Sequence, residues 1–160
     1  MAVPVAGANA YIKAMTKLPP PIWMFILLAL TGAASYFAHV PAAFRFWPVG
    51  AALIVGGFAI AMTAVAIFRR EGTEIDPMSA TNKSLVVRGP FRFTRNPMYL
   101  GLVLFSTGIA LVVGTWPMFL VPVLIFAIAN WGHIPVEEAK MHRQHGVAYD
   151  AYVGAVRRWI

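Results

Sequence analysis

The stretch VRGPFRFTRNPMYLG, Val87 to Gly101, decides how this chain is read. It places three arginines, two prolines, three aromatic residues and two glycines between two strongly apolar runs. Arg95-Asn96-Pro97 opens a hydrophobic helix. Asn is a favourable N-cap, and Pro suits the first helical position because its missing N–H would have no helical partner there. A helix N-terminus flanked by arginines can receive an anionic group. Because this one stands where the chain meets a membrane, it is a candidate ligand site.

The apolar runs around the stretch set the fold class. Of 160 residues, 59% are hydrophobic and only 12% charged, with mean hydropathy +0.69. Soluble domains run nearer half apolar and about a quarter charged, so the chain is read as one integral membrane domain. The net charge of +7 does not indicate nucleic acid. The basic residues flank apolar runs, the pattern of anionic headgroups and the positive-inside rule. With no cysteine, disulfides, thiolate metal sites and cysteine nucleophiles are excluded.

Upstream, residues 1–21 read as an interfacial lead with Lys13 and Lys17 as anchors, ended by Pro19-Pro20-Pro21. Lysines before an apolar run also fit a signal peptide, but the downstream chain is more membrane and not a soluble mature domain. A first span runs from Ile22 to Val40 and a second from Val49 to Phe68, with a tight loop between them holding Arg45 and a headgroup-level Trp47. Twenty residues at ~1.5 Å each give about 30 Å, enough to cross the hydrocarbon. Ala52, Gly56, Gly57 and Ala61 form a small-residue face that permits close helix approach. Residues 69–97 make a polar loop. Downstream, Met98 to Val113 and Met118 to Gly132 are joined by Gly114-Thr115-Trp116-Pro117. Both runs are short for a span and read as a tight helical hairpin. The polar tail, residues 133–160, reads as helices over Val136 to His145 and Ala148 to Arg158. The second carries Tyr149, Tyr152, Val153, Val156 and Ile160 on one face, which is expected to lie on the membrane surface.

The expected fold is therefore all-α and polytopic, with about four transmembrane helices and amphipathic C-terminal helices. Four spans put both termini on one side. Twelve of the thirteen Lys and Arg residues fall on that side, which assigns the termini and the loop to the cytoplasm. The hairpin also brings Arg95-Asn96-Pro97 to the same face as Glu137-Glu138. Arginines on one wall and carboxylates on the other suit a zwitterionic ligand.

These residues resemble a known superfamily. Gly89-Pro90-Phe91, Arg95-Asn96-Pro97, Tyr99 and Gly101 match a motif of the isoprenylcysteine carboxyl methyltransferases and phospholipid methyltransferases. So does the distal block of Glu137-Glu138, His145-Gly146, Tyr149, Tyr152 and Arg158-Trp159-Ile160. Gly72-Thr73 and Asp76-Pro77 are similar to the lead-in of many small bacterial members. The resemblance covers roughly residues 72–160. It implies an integral membrane methyltransferase that uses S-adenosylmethionine and takes a lipophilic acceptor from the bilayer: a carboxylate, a thiol or a lipid amine.

Carried over by position, Arg95, Asn96, Pro97, Tyr99, Gly101, Glu137, Glu138, Tyr152 and Trp159 are implied to bind the cofactor, and Arg95, Arg158 and Glu138 to serve catalysis. Glu137 or Glu138 would accept from the cofactor's ammonium or diol. Arg95 or the helix N-terminus would hold its carboxylate. Tyr99, Tyr152 or Trp159 would face the sulfonium. Asn96 stands where prenylcysteine and phospholipid enzymes usually carry His, and it cannot titrate near neutrality.

Plainer readings stand beside these. Glu137 and Glu138 near a helix start also favour the helix dipole. Arg88 and Arg92 read as lipid-phosphate anchors and Arg157 as a headgroup anchor. Glu138, His142 and His145 share a helix face, but four histidines in all argue against a metal. His39 and His133 read as interfacial. Two other function classes compete: an NADPH-dependent membrane reductase related to sterol reductases, and a non-enzymatic membrane protein. The compact chain points to a prokaryotic membrane with membrane lipids as its partners.

Overall fold

The computed structural model describes residues 18–71 and 85–160. The interfacial lead over residues 1–17 and most of the polar loop, including Gly72, Thr73, Asp76, Pro77 and Lys83, lie outside the described residues. The chain is all-α among them. Helices α1 (Pro20–Phe37) and α2 (Trp47–Arg70) are followed by a 3₁₀ turn, Gly89–Arg92, and by α3 (Pro97–Val113). A second 3₁₀ turn, Trp116–Phe119, leads into α4 (Leu120–Ala127), a π segment (Ile128–His133) and α5 (Ile134–His145). Then comes α6 (Val147–Ala155). Three stretches are long and apolar enough to cross a membrane: α1, α2 and the continuous helical run Trp116–His145. Helix α3 is the shorter apolar companion.

Two of these boundaries depart from the sequence reading. The fourth span does not stop before the polar tail; it runs on through Pro135 into α5 as one rod. Proline has no N–H for the carbonyl four residues back, and its ring crowds that carbonyl. The widened π segment directly upstream absorbs the mismatch, and such segments favour functional positions. The last helix ends at Ala155, not Arg158. Val156 is extended, with φ −127° and ψ 132°, and residues 156–160 form a strap instead of another turn.

Glycine sets the central packing. On α2, Gly50 and Gly57 face Gly108 and Gly101 of the antiparallel α3. A Cβ built on Gly57 would stand 2.6 Å from the Gly101 carbonyl, and one on Gly50 would stand 2.8 Å from that of Gly108. Backbones this close give dispersion and Cα–H···O contacts, which drive helix association where lipid is as apolar as the side chains. The expected small-residue face is partly realised. Gly57 and Ala61 lie in the contact, whereas a Cβ on Gly56 would meet nothing within 4 Å.

Helix α1 closes over the other side, where Met24, Val121 and Ile125 are buried together with Leu27, Leu102 and Phe105 packed around them. Hydroxyls inside the bundle are satisfied within a helix or across to a neighbouring element. The Thr31 hydroxyl donates to the Leu27 carbonyl at 2.7 Å, and that of Thr115 to the Ser35 hydroxyl at 3.0 Å. At the end far from Arg95, Phe44 N–H donates to Gly114 O at 2.9 Å and Phe46 N–H to Leu111 O at 2.9 Å. This pins the α1–α2 loop against the end of α3. Exposed Phe37, Phe44, Phe46, Trp47 and Trp116 ring that end, as aromatic belts do at headgroup level.

Candidate functional site

The start of α3 and the middle of α5 meet at the other end of the bundle, as the hairpin requires. Glu138 is the link. Arg95 Nη2 donates to its Oε1 at 2.9 Å, and Arg158 Nε donates to the same oxygen at 3.1 Å. Arg158 Nη2 donates to Oε2. One carboxylate thus joins three segments far apart in sequence: the loop before α3, α5 and the strap. The Arg95 and Glu138 side chains keep 11% and 20% of their exposure, and charge-assisted pairs of such limited solvation are strong.

Arg95 does more than pair with Glu138. Its Nη1 donates to the carbonyls of Val153 at 3.2 Å and Val156 at 2.7 Å. These are carbonyls left without helical partners where α6 ends. Its own N–H donates to Arg157 O at 2.9 Å. Only Nε of the guanidinium is left, buried and without a partner.

Asn96 takes the N-cap position but does not cap α3. Its carboxamide Nδ2 donates instead to Arg158 O at 2.9 Å, an oxygen that also accepts from the Thr94 hydroxyl at 3.0 Å. The strap carbonyl competes successfully for the side chain, and Thr94 Oγ1 receives the Asn96 N–H at 3.1 Å. Pro97 occupies the first turn as expected.

Tyr99 is buried, and its hydroxyl donates to Glu137 Oε1. Tyr99→Phe would leave that carboxylate oxygen without its donor. We expect a loss of about 1–3 kcal/mol of stability, read as a lower denaturation midpoint in detergent; an unchanged midpoint would show that the bond contributes nothing. Tyr152 is buried too, its hydroxyl donating to Phe91 O at 2.7 Å. Burial pushes the Tyr152 phenol up to about 12, helped by neighbouring Tyr149. Burial and the Glu138 charge do the same for Tyr149, also to about 12. Because the folded values lie above the ordinary one near 10, both phenols are neutral at physiological pH. The stabilisation from keeping them neutral is lost only as pH rises from about 10 through 12.

A cavity of about 580 Å³ opens on this arrangement. Arg95, Asn96, Glu137, Glu138, Tyr149 and Tyr152 form its polar lining. Lys140 also lines it, together with the apolar residues Pro19–Pro21, Met62, Val65 and Phe68 of α2, and Met98 and Leu102 of α3. A single hollow therefore combines charged and apolar lining, and its volume lies in the range of ligand sites.

Three of the sequence-derived candidates, Gly101, Arg158 and Trp159, stand outside the cavity lining; Arg158 meets the site through its pairing with Glu138. Gly101 faces α2, where a Cβ would meet Gly57 O at 2.5 Å and Ala61 Cβ at 2.7 Å. Trp159 donates from Nε1 to Asn130 Oδ1 at 3.0 Å and packs on Phe126, ring centroids 4.7 Å apart. The expected membrane-surface face of the last helix is divided, since Tyr149 and Tyr152 turn inward while Val153 and Ile160 remain exposed.

Of four residues that sequence reasoning left out of the site, Tyr149 lines the cavity and Thr94, Asn130 and His133 hold segments around it. Tyr149 stands three residues from Tyr152, a spacing that puts both on one helix face. Thr94 adjoins the motif directly. Asn130 is a polar residue inside an apolar run, itself a signal of a specific partner. His133 was expected to be interfacial and is in fact 1% exposed. Its ring nitrogens face Ile128 O at 3.4 Å and Leu18 O at 3.3 Å. The π segment rotates it inward, tying the lead into α1 to the helix that carries Glu137.

A family model described as phospholipid methyltransferase matches residues 46–148. No curated protein and no solved structure matches the chain.

Proposed function

The chain belongs to the phospholipid methyltransferase family, and from that premise we propose that it transfers a methyl group from S-adenosylmethionine to a lipophilic acceptor in the membrane. The family points to a membrane methyltransferase; the cofactor, the isoprenylcysteine-methyltransferase-like type and the acceptor classes named above belong to this reading. So does a prokaryotic inner membrane with the site facing the cytoplasm, supported by the Lys and Arg bias.

The observation that carries the reading is the cavity lined by both charged and apolar side chains. Its polar lining suits the cofactor. Arg95 Nε is a buried donor without a protein partner, available to a bound carboxylate or hydroxyl. Glu137 offers a carboxylate to an ammonium or a diol, and neutral Tyr149 and Tyr152 offer ring faces to a cation. When bound, S-adenosylmethionine supplies an electrophilic methyl group on a sulfonium. The residues of the chain supply alignment and dryness, which dominate an in-line displacement. Arg95 and Glu138 hold α6 and the strap beside the hollow, and Tyr149 and Tyr152 line it from α6. Met62, Val65, Phe68 and Leu102 provide a surface for the hydrocarbon of the acceptor.

The test is calorimetric titration of the detergent-purified protein with S-adenosylmethionine and with its demethylated product, NADPH serving as control. Micromolar binding of the first two, without NADPH binding, is expected. NADPH binding alone would favour a reductase, and silence from all three, in a folded sample, would overturn the proposal.

A further inference from the structure

One face of the site end takes no part in the chemistry proposed above. The segment 92–96 and the strap run side by side, joined by Arg95 N–H to Arg157 O at 2.9 Å and by Thr94 Oγ1 to Arg158 O at 3.0 Å. Their outward surfaces combine large apolar side chains with arginine. Phe93 is 76% exposed and Ile160 77%, and Arg92, adjoining Phe93, and Arg157, three residues before Ile160, are exposed as well. Val87 and Arg88, just upstream of this segment, are exposed too, and Arg88 is paired with Glu71. Val87, Arg88, Arg92 and Phe93 lie between α2 and the start of α3 at Pro97, and Arg157 and Ile160 in the strap after α6.

We propose that this plate docks on an anionic phospholipid leaflet, and that docking holds the strap against Arg95. Charge complementarity selects the occupant. The plate offers Arg92 and Arg157, Arg88 being already engaged by Glu71, in a chain with 13 Lys and Arg and 6 Asp and Glu. Apolar side chains beside guanidiniums suit the acyl–headgroup boundary, with Phe93 and Ile160 inserted and the arginines at phosphate depth. The coupling follows from the backbone. Arg157 O receives the Arg95 N–H, and the next carbonyl, Arg158 O, receives Thr94 Oγ1 and Asn96 Nδ2. Fixing the Arg157 side chain at the leaflet therefore restrains the two carbonyls that join the strap to the start of α3. The proposal stands whether or not the chain transfers methyl groups.

Amide hydrogen exchange tests it, with the full chain in lipid nanodiscs of phosphatidylcholine or of an equimolar phosphatidylcholine–phosphatidylglycerol mixture. Amides of segments 92–96 and 153–160 should exchange more slowly in the anionic discs, by about fivefold for each arginine engaged. The helix interiors should exchange equally in both. Arg92→Gln with Arg157→Gln should abolish the difference, and Arg92→Lys with Arg157→Lys should keep most of it. Equal exchange of the wild-type strap in both discs would overturn the proposal, as would a double glutamine variant that keeps the lipid effect. Slowing by inorganic phosphate in phosphatidylcholine discs would also overturn it, by showing a site for soluble anions.

Discussion

Glu138→Ala should abolish binding of S-adenosylmethionine and lower the stability of the fold by about 3 kcal/mol, the lower end of the cost of stripping one partner from a buried charge pair. The lower end applies because the arginines retain some solvent: 11% exposure for Arg95 and 36% for Arg158. The carboxylate takes three donor atoms from two guanidiniums. Without it, two cations are left without their shared anion, and the strap keeps only its carbonyl contacts and the Trp159 anchor on Asn130 and Phe126. Affinity should fall with stability because Arg95 both lines the cavity and holds the end of α6. Calorimetry with the demethylated cofactor and a thermal unfolding curve in detergent read the two effects separately. Glu138→Gln, which keeps the shape and one acceptor, should be milder on both. Unchanged affinity in a folded Glu138→Ala protein would remove this residue from the site.

Gly101→Val should prevent assembly of the folded bundle. The first added carbon already stands 2.5 Å from Gly57 O and 2.7 Å from Ala61 Cβ, and neither is the flexible end of a side chain. The helices must separate, which opens the contact at Gly50 and Gly108 as well. Overpacking ordinarily costs about 1–3 kcal/mol, and a clash against backbone belongs to the upper end or beyond. Gly101→Ala should fold with a depressed melting temperature while the surviving protein keeps its cofactor affinity. That outcome would assign Gly101 to helix packing, against the cofactor role implied by its place in the motif. The reverse result, normal melting with lost affinity, would restore the cofactor role.

Much of this architecture is legible from composition and spacing. The apolar runs reveal the helices because backbone polar groups in lipid must be satisfied within the segment, which leaves helix as the available solution for a single span. The short connection from Gly114 to Pro117 brings Arg95 and Glu138 to one face, and the structure joins them directly. The detailed partners were not legible in the same way. Asn96 has the chemistry of a helix cap, yet its amide goes to Arg158 O. His133 has the position of an interfacial residue, yet it is buried. For Asn96 a capping preference worth about 1 kcal/mol was outweighed by a carbonyl brought in from the strap, and for His133 the packing of the lead into α1 covers the ring.

The sequence by itself determined the polytopic α-helical class, the span order and the residues that meet at one end of the bundle, since periodicity, hydrophobic length and loop length act locally along the chain. The tertiary structure alone decided which arginine donor reaches which oxygen, that Gly101 packs against Gly57, that the fourth span continues through Pro135, and that residues 156–160 form a strap. Each of these depends on distances between segments separated by tens of residues, and a close contact of about 3 Å is set by the packing of whole helices, which no local pattern encodes.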